Sequence, residues 1–216
     1  MADNIIYGIN GPVVTIKGVT DLAMMEMVYV GKDKLIGEVI KIDSSKTTIQ
    51  VYEETSGIKP GELVYSTGLP MSVTLGPGIL SNIFDGIENP LTDISAAVGA
   101  FIPRGLHPSS LNEKTLWDVT LTVKKGDKLN GGDVYATTPE KAILHKIMLH
   151  PDLSGEVVEV KPDGKYTVND TVAVIKDSNG EKHNLTLCQK WPIRMPRPIK
   201  KRLSLSKPLV TGQRVI

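Results

Sequence analysis

Few residues in this chain carry reactive chemistry, and their spacing disperses them. Four histidines are the whole supply of imidazole. His145 and His150 lie five residues apart, on opposite faces of a single strand, and no cysteine or paired carboxylate joins them at the spacing a zinc site needs. His107, after Pro103-Arg104-Gly105, is expected in a loop at the surface or at an interface; His183, beside Asn179-Gly180, is expected in solvent. Glu53 and Glu54 offer adjacent carboxylates for acid–base work. Neighbours along a strand point to opposite sides, however, so the pair cannot flank one substrate and reads as surface charge. Cys188 stands alone: it makes no internal disulfide, fits a reducing compartment and has no expected role as a nucleophile.

Nucleotide chemistry also lacks its parts. A phosphate cradle needs glycines ahead of Gly-Lys-Ser/Thr, so that amides converge on the phosphate while the lysine neutralises it and the hydroxyl holds magnesium. Gly31-Lys32-Asp33 and Gly164-Lys165-Tyr166 are the nearest strings; neither has the upstream glycine or the hydroxyl, and both read as turns. Seven Lys and Arg residues between Lys190 and Lys207 raise the question of nucleic acid, yet Trp191 is their only aromatic platform and single-strand binding wants several. With 25 basic and 24 acidic residues the net charge is +1, too small for a field that gathers polyanions. No nucleic acid partner is expected, and the basic stretch is expected to dock on a neighbouring domain. Asn169-Asp170-Thr171 and Asn184-Leu185-Thr186 match the glycosylation pattern, but Met1 to Asn10 has no basic segment before its apolar run and is no secretory signal. No apolar stretch approaches the ~18 residues of a membrane span. No membrane insertion is expected, and the chain is expected in the cytoplasm. No residue is assigned to catalysis, to cofactor binding or to a metal.

The elements around these residues are mostly strands. The 216 residues suffice for one large domain or two to three small ones, and 20 glycines with 14 prolines predict many turns. From Ile5 to Tyr65 the apolar residues come as IIYGI, PVVTI, MVYV, LIGEVIKI, TTIQVYE and LVYS, all of strand length. Asp43-Ser44-Ser45-Lys46 suits a hairpin turn and Ile58-Lys59-Pro60-Gly61 a second turn. Six short strands predict a closed barrel over residues 1–70, because closure removes exposed edges. Met24, Met25 and Met27 with Leu22 form an adaptable apolar cluster for the core or a subunit contact.

Residues 71–110 read as a Pro/Gly-rich connector. One helical turn or two is expected around Ile79, Leu80, Ile83 and Phe84, stopped by Gly86, and a second short helix over Leu91 to Val98, opened by Asn89-Pro90 and closed by Gly99. From Trp117 the strands return, with turns at Lys125-Gly126-Asp127, Gly131-Gly132-Asp133, Pro162-Asp163-Gly164 and Asn179-Gly180, predicting a β sandwich or barrel-sandwich over residues 111–188. Residues 189–216 read as an extended basic linker that ends without a capping structure, as if the chain were cut. The fold class expected is mainly β.

Several strings together carry a resemblance. Met27-Val28-Tyr29-Val30-Gly31, LIGEVIKIDSSKTTIQVYEETSGIKPGELVYSTGLPMSVTLGPGILSNIFDGIENPL (Leu35 to Leu91), GAFIPRG (Gly99 to Gly105), GGDVYATTPEKAILHKIM (Gly131 to Met148), QKWPIRMPRP (Gln189 to Pro198) and the final TGQRVI stand in the order of one family. They closely resemble the N-terminal part of the catalytic A subunit of V-type and archaeal-type rotary ATPases. The resemblance implies an N-terminal crown barrel, a connector on the nucleotide-domain side, and an outward bulge absent from the β subunits of F-type enzymes. It implies B subunits as partners in an alternating A3B3 head and peripheral-stalk subunits as partners of the bulge. Mg-ATP or ADP would belong to the parent enzyme, downstream of Ile216, and this portion alone is expected to be inactive. The alternative is a stand-alone β-rich interaction module. Two departures mark the chain: Asn89 stands where the family usually has arginine, leaving Glu88 without that adjacent cation, and SLNEKTLWDV before and around Trp117 is less basic than its counterparts.

Overall fold

The computed structural model describes residues 4–18, 20–80, 82–199, 201, 202 and 204. Every apolar run of the first segment forms a strand: β1 (Ile6–Asn10), β2 (Val13–Lys17), β3 (Glu26–Val30), β4 (Leu35–Ile42), β5 (Lys46–Val51) and β6 (Val64–Pro70). They make one sheet in the order β1-β2-β5-β4-β3-β6, with antiparallel neighbours throughout. Alternation supplies the inner face: Val14 and Ile16 of β2 pack with Val28, Val30, Val39 and Ile49, all shut off from water. Asp43 N–H donates to the Lys46 carbonyl at 2.8 Å, so the polar break closes the β4–β5 hairpin as expected. The hydrogen-bonded ladder is open, in contrast to the closed barrel expected. Its edges meet at one end only, through the Ile5–Leu63 bridge and the flanking bonds Val64 N–H to Asn4 O, Ile6 N–H to Glu62 O and Gly61 N–H to Ile6 O, all 2.8 Å. Strands of five to eight residues with register shifts in β1, β4 and β6 pairings do not carry the ladder around the whole circumference. Leu22 is buried in this core, whereas Met24 and Met25 are exposed.

The chain leaves the sheet through β7 (Ser72–Leu75). No helix forms among the described residues of Ile79 to Phe84, contrary to expectation. Phe84 instead bridges to Pro90, and Asp85 Oδ1 accepts the N–H groups of Ile87 and Asn89, both at 2.9 Å. A side-chain carboxylate that captures nearby amides stabilises a turn at the expense of a helix. The second helix, α1 (Leu91–Val98), has the bounds expected: Pro90 precedes it, and Gly99, at φ 82°, ends it by donating to Ser95 O.

The third region is a sandwich. One sheet has the order β11-β10-β8-β13, from β8 (Trp117–Leu121), β10 (Val134–Glu140), β11 (Ile143–Met148) and β13 (Gly164–Tyr166). The facing sheet has the order β15-β14-β12-β9, from β9 (Lys128–Leu129), β12 (Gly155–Val160), β14 (Ala173–Lys176) and β15 (Lys182–Leu185). Val119, Tyr135 and Ala136 from one side meet Val157, Ile175 and Leu185 from the other in a single core.

After the sandwich the chain turns back. β16 (Gln189–Pro192) pairs antiparallel with β7, so the outgoing and returning strands form a two-stranded neck. Trp191, expected in an extended stretch without a core, is 7% exposed, because the neck and the Arg197 guanidinium, 4.6 Å from its ring, cover it. Lys200, Lys207, Pro208 and Thr211 to Ile216, which share that expectation, lie outside the described residues.

Candidate functional site

The polar chemistry concentrates where the first sheet, the connector, the sandwich and the neck meet, and carboxylates dominate it. Glu38 lies in the middle of β4, between Met27 of β3 and Gln50 of β5, with only 3% of its side chain exposed. Tyr52 Oη donates to its Oε2 at 2.5 Å. Arg194, two residues past β16, completes the shell with Nη2 at 2.8 Å from Oε2 and Nη1 on Oε1. Burial, then the Glu38 carboxylate, pushes the Tyr52 phenol above its ordinary range, while the same carboxylate holds the Arg194 guanidinium above its own.

Glu53 joins the first sheet to the connector. It lies beyond the end of β5, so strand alternation does not apply to it, and it is not the surface charge expected. Its Oε1 accepts from Ile36 N–H at 3.2 Å and its Oε2 from Gly105 N–H at 2.8 Å. His107 Nε2 sits 3.1 Å from Oε1, outside hydrogen-bond geometry, in a mostly buried position against Tyr29. Beside this clamp Arg104 donates to Asp33 Oδ2 at 3.1 Å and to the carbonyls of Glu54 and Ser56. Gly105 has φ 67°, and a Cβ there would lie 2.0 Å from the Asp33 carbonyl oxygen, so only glycine lets the two backbones approach. Glu54 is exposed and accepts from Ser56 Oγ, as surface charge does.

Two more carboxylates complete the junction. Glu88, in the left-handed region at φ 67°, accepts Thr74 N–H with both oxygens, at 3.0 and 2.8 Å, and thereby holds the FDGI turn on β7. Burial raises its pKa, opposed by the Thr74 and Ser110 hydrogen bonds. Asn89 supplies no charge but caps the same turn through Nδ2 to Asp85 Oδ2 at 2.9 Å. Glu140 of β10, 3% exposed, accepts Gly78 N–H at 2.7 Å and contacts His145 Nδ1 at 2.6 Å. His145 thus serves the sandwich–connector contact, while His150 lies against Trp191, ring centroids 5.3 Å apart. A cleft of about 450 Å³ opens between these contacts, lined by Tyr29, Glu88, His107, Ser110, Cys188 and Lys190.

The two glycine–lysine strings do not fit a phosphate. Glu62 takes the amides of Lys32 and Lys59 at 3.0 and 3.2 Å, placing a carboxylate where a phosphate would sit, and Lys165 lies within β13 opposite Asp118. Asp177, Glu181 and His183 each bring one ligand atom within 4.8 Å of the others on the β14–β15 hairpin. His183 is therefore less solvated than expected: its Nε2 meets Asp177 Oδ2 at 3.0 Å, and this bond, with the Glu181 and Asn179 amides, holds the Asp177 carboxyl below its usual range. Sequence reading missed Glu38, Glu53 and Glu140 as junction residues. Glu140 alone carried a local signal, its place at the closed end of a hairpin.

Profiles of two families match the chain: the beta-barrel domain of the ATP synthase alpha/beta family over residues 6–68, and the ATPsynthase alpha/beta subunit barrel-sandwich domain over residues 108–194. The A subunit of the A-type ATP synthase of Methanopyrus kandleri is 52% identical over 98% of this chain and 36% of its own length. The catalytic A subunit of the V-type proton ATPase of Cyanidium caldarium is 45% identical over 100% of this chain and 37% of its own. Among solved structures, the assembled ATPase EscN of the enteropathogenic E. coli type III secretion system aligns with 46% of this chain and 23% of that one, at 22% identity and a TM-score of 0.38. The chain spans about a third of the length of the relatives it matches. Over nearly its whole length it matches the N-terminal region of A/V-type catalytic A subunits, with the beta-barrel and barrel-sandwich domains of the ATP synthase alpha/beta family in order along it.

Proposed function

We propose that the chain is the structural and assembly portion of the catalytic A subunit of a rotary ATPase that couples ATP hydrolysis or synthesis to proton or sodium transport. The observation that carries the reading is the 52% identity to the A subunit of an A-type ATP synthase over 98% of this chain. The junction supports it, because its carboxylates are occupied by backbone amides, Tyr52, His145 and Arg194 rather than arranged around a reacting group. In this reading residues 1–70 form the crown barrel, 71–110 the connector toward the nucleotide-domain side, 111–188 the bulge and 189–216 the linker. Exposed Tyr7, Tyr65 and Leu69 on the first sheet, with Met24 in the turn before β3, supply contact area for B subunits in the A3B3 head. Exposed Leu116, Ile143 and Leu144 on the sandwich face peripheral-stalk subunits. Among the described residues no helix is long and apolar enough to cross a membrane, and the reading puts the chain in the soluble cytoplasmic head. Mg-ATP or ADP binds elsewhere in the parent enzyme, and this portion alone does not turn ATP over.

Two experiments test the reading. Purified chain assayed for phosphate release should show no magnesium-dependent hydrolysis; turnover at the rate of a complete enzyme would overturn it. In co-purification with a B subunit, removal of residues 1–70 should abolish association and removal of residues 111–188 should spare much of it. The opposite pattern would reject the crown assignment.

A further inference from the structure

The first sheet encloses two carboxylates, and they are satisfied in different ways. Glu26 of β3 finds its partners within the same segment: Ala23 N–H at 2.7 Å, Ser66 Oγ at 2.5 Å and Gly68 N–H at 2.9 Å. Among the described residues of that segment Glu38 finds only the Tyr52 hydroxyl. Its other donors are the two guanidinium nitrogens of Arg194, 156 residues further along the chain. A carboxylate removed from water needs a cation or several N–H donors, and breaking such a pair leaves an uncompensated buried charge. The two carboxylate oxygens face a planar donor pair, the geometry a guanidinium satisfies and an ammonium does not. Arg194 itself is half exposed, at 51%, against 3% for Glu38, so the carboxylate is reached from solvent through the space the arginine side chain fills.

We propose that Glu38 and Tyr52 form a guanidinium-binding site in the first sheet, filled in cis by Arg194, and that its occupancy holds the returning neck strand β16 against that sheet. Residues 4–70 therefore do not contain all the partners their own core requires. The site is complete only after the chain has passed through the sandwich and come back. Arg194 acts as a positioning residue, and the inference holds whether or not the rotary-ATPase reading does.

Chemical rescue tests it on the 216-residue chain. Arg194→Ala should lower the melting transition by about 6–15 °C and speed amide exchange in Gln189–Trp191. Millimolar ethylguanidinium should restore most of both, whereas equal concentrations of ethylammonium or sodium chloride should not. Arg194→Lys should recover part of the loss. In the double variant Glu38→Gln with Arg194→Ala, ethylguanidinium should have no specific effect. If Arg194→Ala does not fold, the double variant, free of the buried charge, should fold. The proposal is overturned if Arg194→Ala melts with the parent chain, if ammonium or salt rescues equally, if the double variant responds to ethylguanidinium, if β16 exchange is unchanged, or if single and double variants both fail to fold.

Discussion

Replacing Gly105 by alanine should release the connector from the first sheet, and three glycines of the connector separate the reasons why. At Gly86 an added Cβ meets nothing within 4 Å and φ is not positive, so alanine should be neutral. At Gly99 the space is open but φ 82° with ψ −149° is a region that glycine alone enters readily, which costs a side chain about 1–3 kcal/mol at the helix end. At Gly105 a positive φ of 67°, about 1 kcal/mol for a side chain, is joined by a Cβ 2.0 Å from the Asp33 carbonyl oxygen, and ordinary contact cannot be reached unless the two backbones separate. Separation lifts the Gly105 amide from Glu53, a charge-assisted hydrogen bond of 2.8 Å in a partly buried setting, for about a further 1.5–3 kcal/mol. The total is about 3 kcal/mol, or roughly a 150-fold rise in the undocked population. Arg104 provides the assay, because trypsin cleaves after it only when its side chain leaves Asp33 and Ser56. Where opening is fast relative to cleavage, the rate tracks that population. Cleavage at Arg104 should rise at least about tenfold in Gly105→Ala over Gly99→Ala and stay unchanged in Gly86→Ala. Equal rates in the Gly99 and Gly105 variants would refute the close-approach argument.

Other substitutions probe the junction and the core. Gly37→Ala places a Cβ 2.9 Å from Ile49 Cγ2 and 3.0 Å from the Gln50 carbonyl in the middle of β4; urea unfolding should show a loss of about 1–3 kcal/mol from overpacking. Glu140→Ala strips the partner from Gly78 N–H and His145 at a buried site and should cost about 3 kcal/mol, read in the same way. Glu88 has a raised folded pKa, so its ionisation opposes folding: the stability of its protonated form is fully present below the unfolded value of 4.5 and is lost as pH rises through the folded value. Glu88→Gln should therefore gain on the parent chain as pH rises from 4 to 7; a stability difference that is flat or falls over that range would contradict the sign.

The legible part of this protein was its local part. Each of the six apolar runs between Ile5 and Tyr65 became a strand because β-branched alternation and turn residues act over a few neighbours. Leu91 to Val98 became α1 because Pro90 and Gly99 mark its ends in the chain itself. Ile79 to Phe84 had comparable apolar spacing and formed no helix among its described residues, because Asp85 captured two amides and Phe84 paired with Pro90, a competition that periodicity does not register. Glu53 departs from alternation for a related reason: β5 ends at Val51, and beyond it neighbouring side chains need not point to opposite sides.

The amino-acid order by itself determined the mainly β character, the turn positions, the family resemblance and the absence of a Gly-rich phosphate string. Only the tertiary structure decided that the first sheet's edges meet at one end, through the Ile5–Leu63 bridge and its flanking bonds, that β16 returns to β7, and that Glu38, Glu53, Glu88 and Glu140 tie the units together. Strand and turn preferences follow from sterics and solvation within a few residues. A buried carboxylate's partner depends instead on which distant groups the completed fold brings within 3 Å, as it brings Arg194 to Glu38 at 2.8 Å.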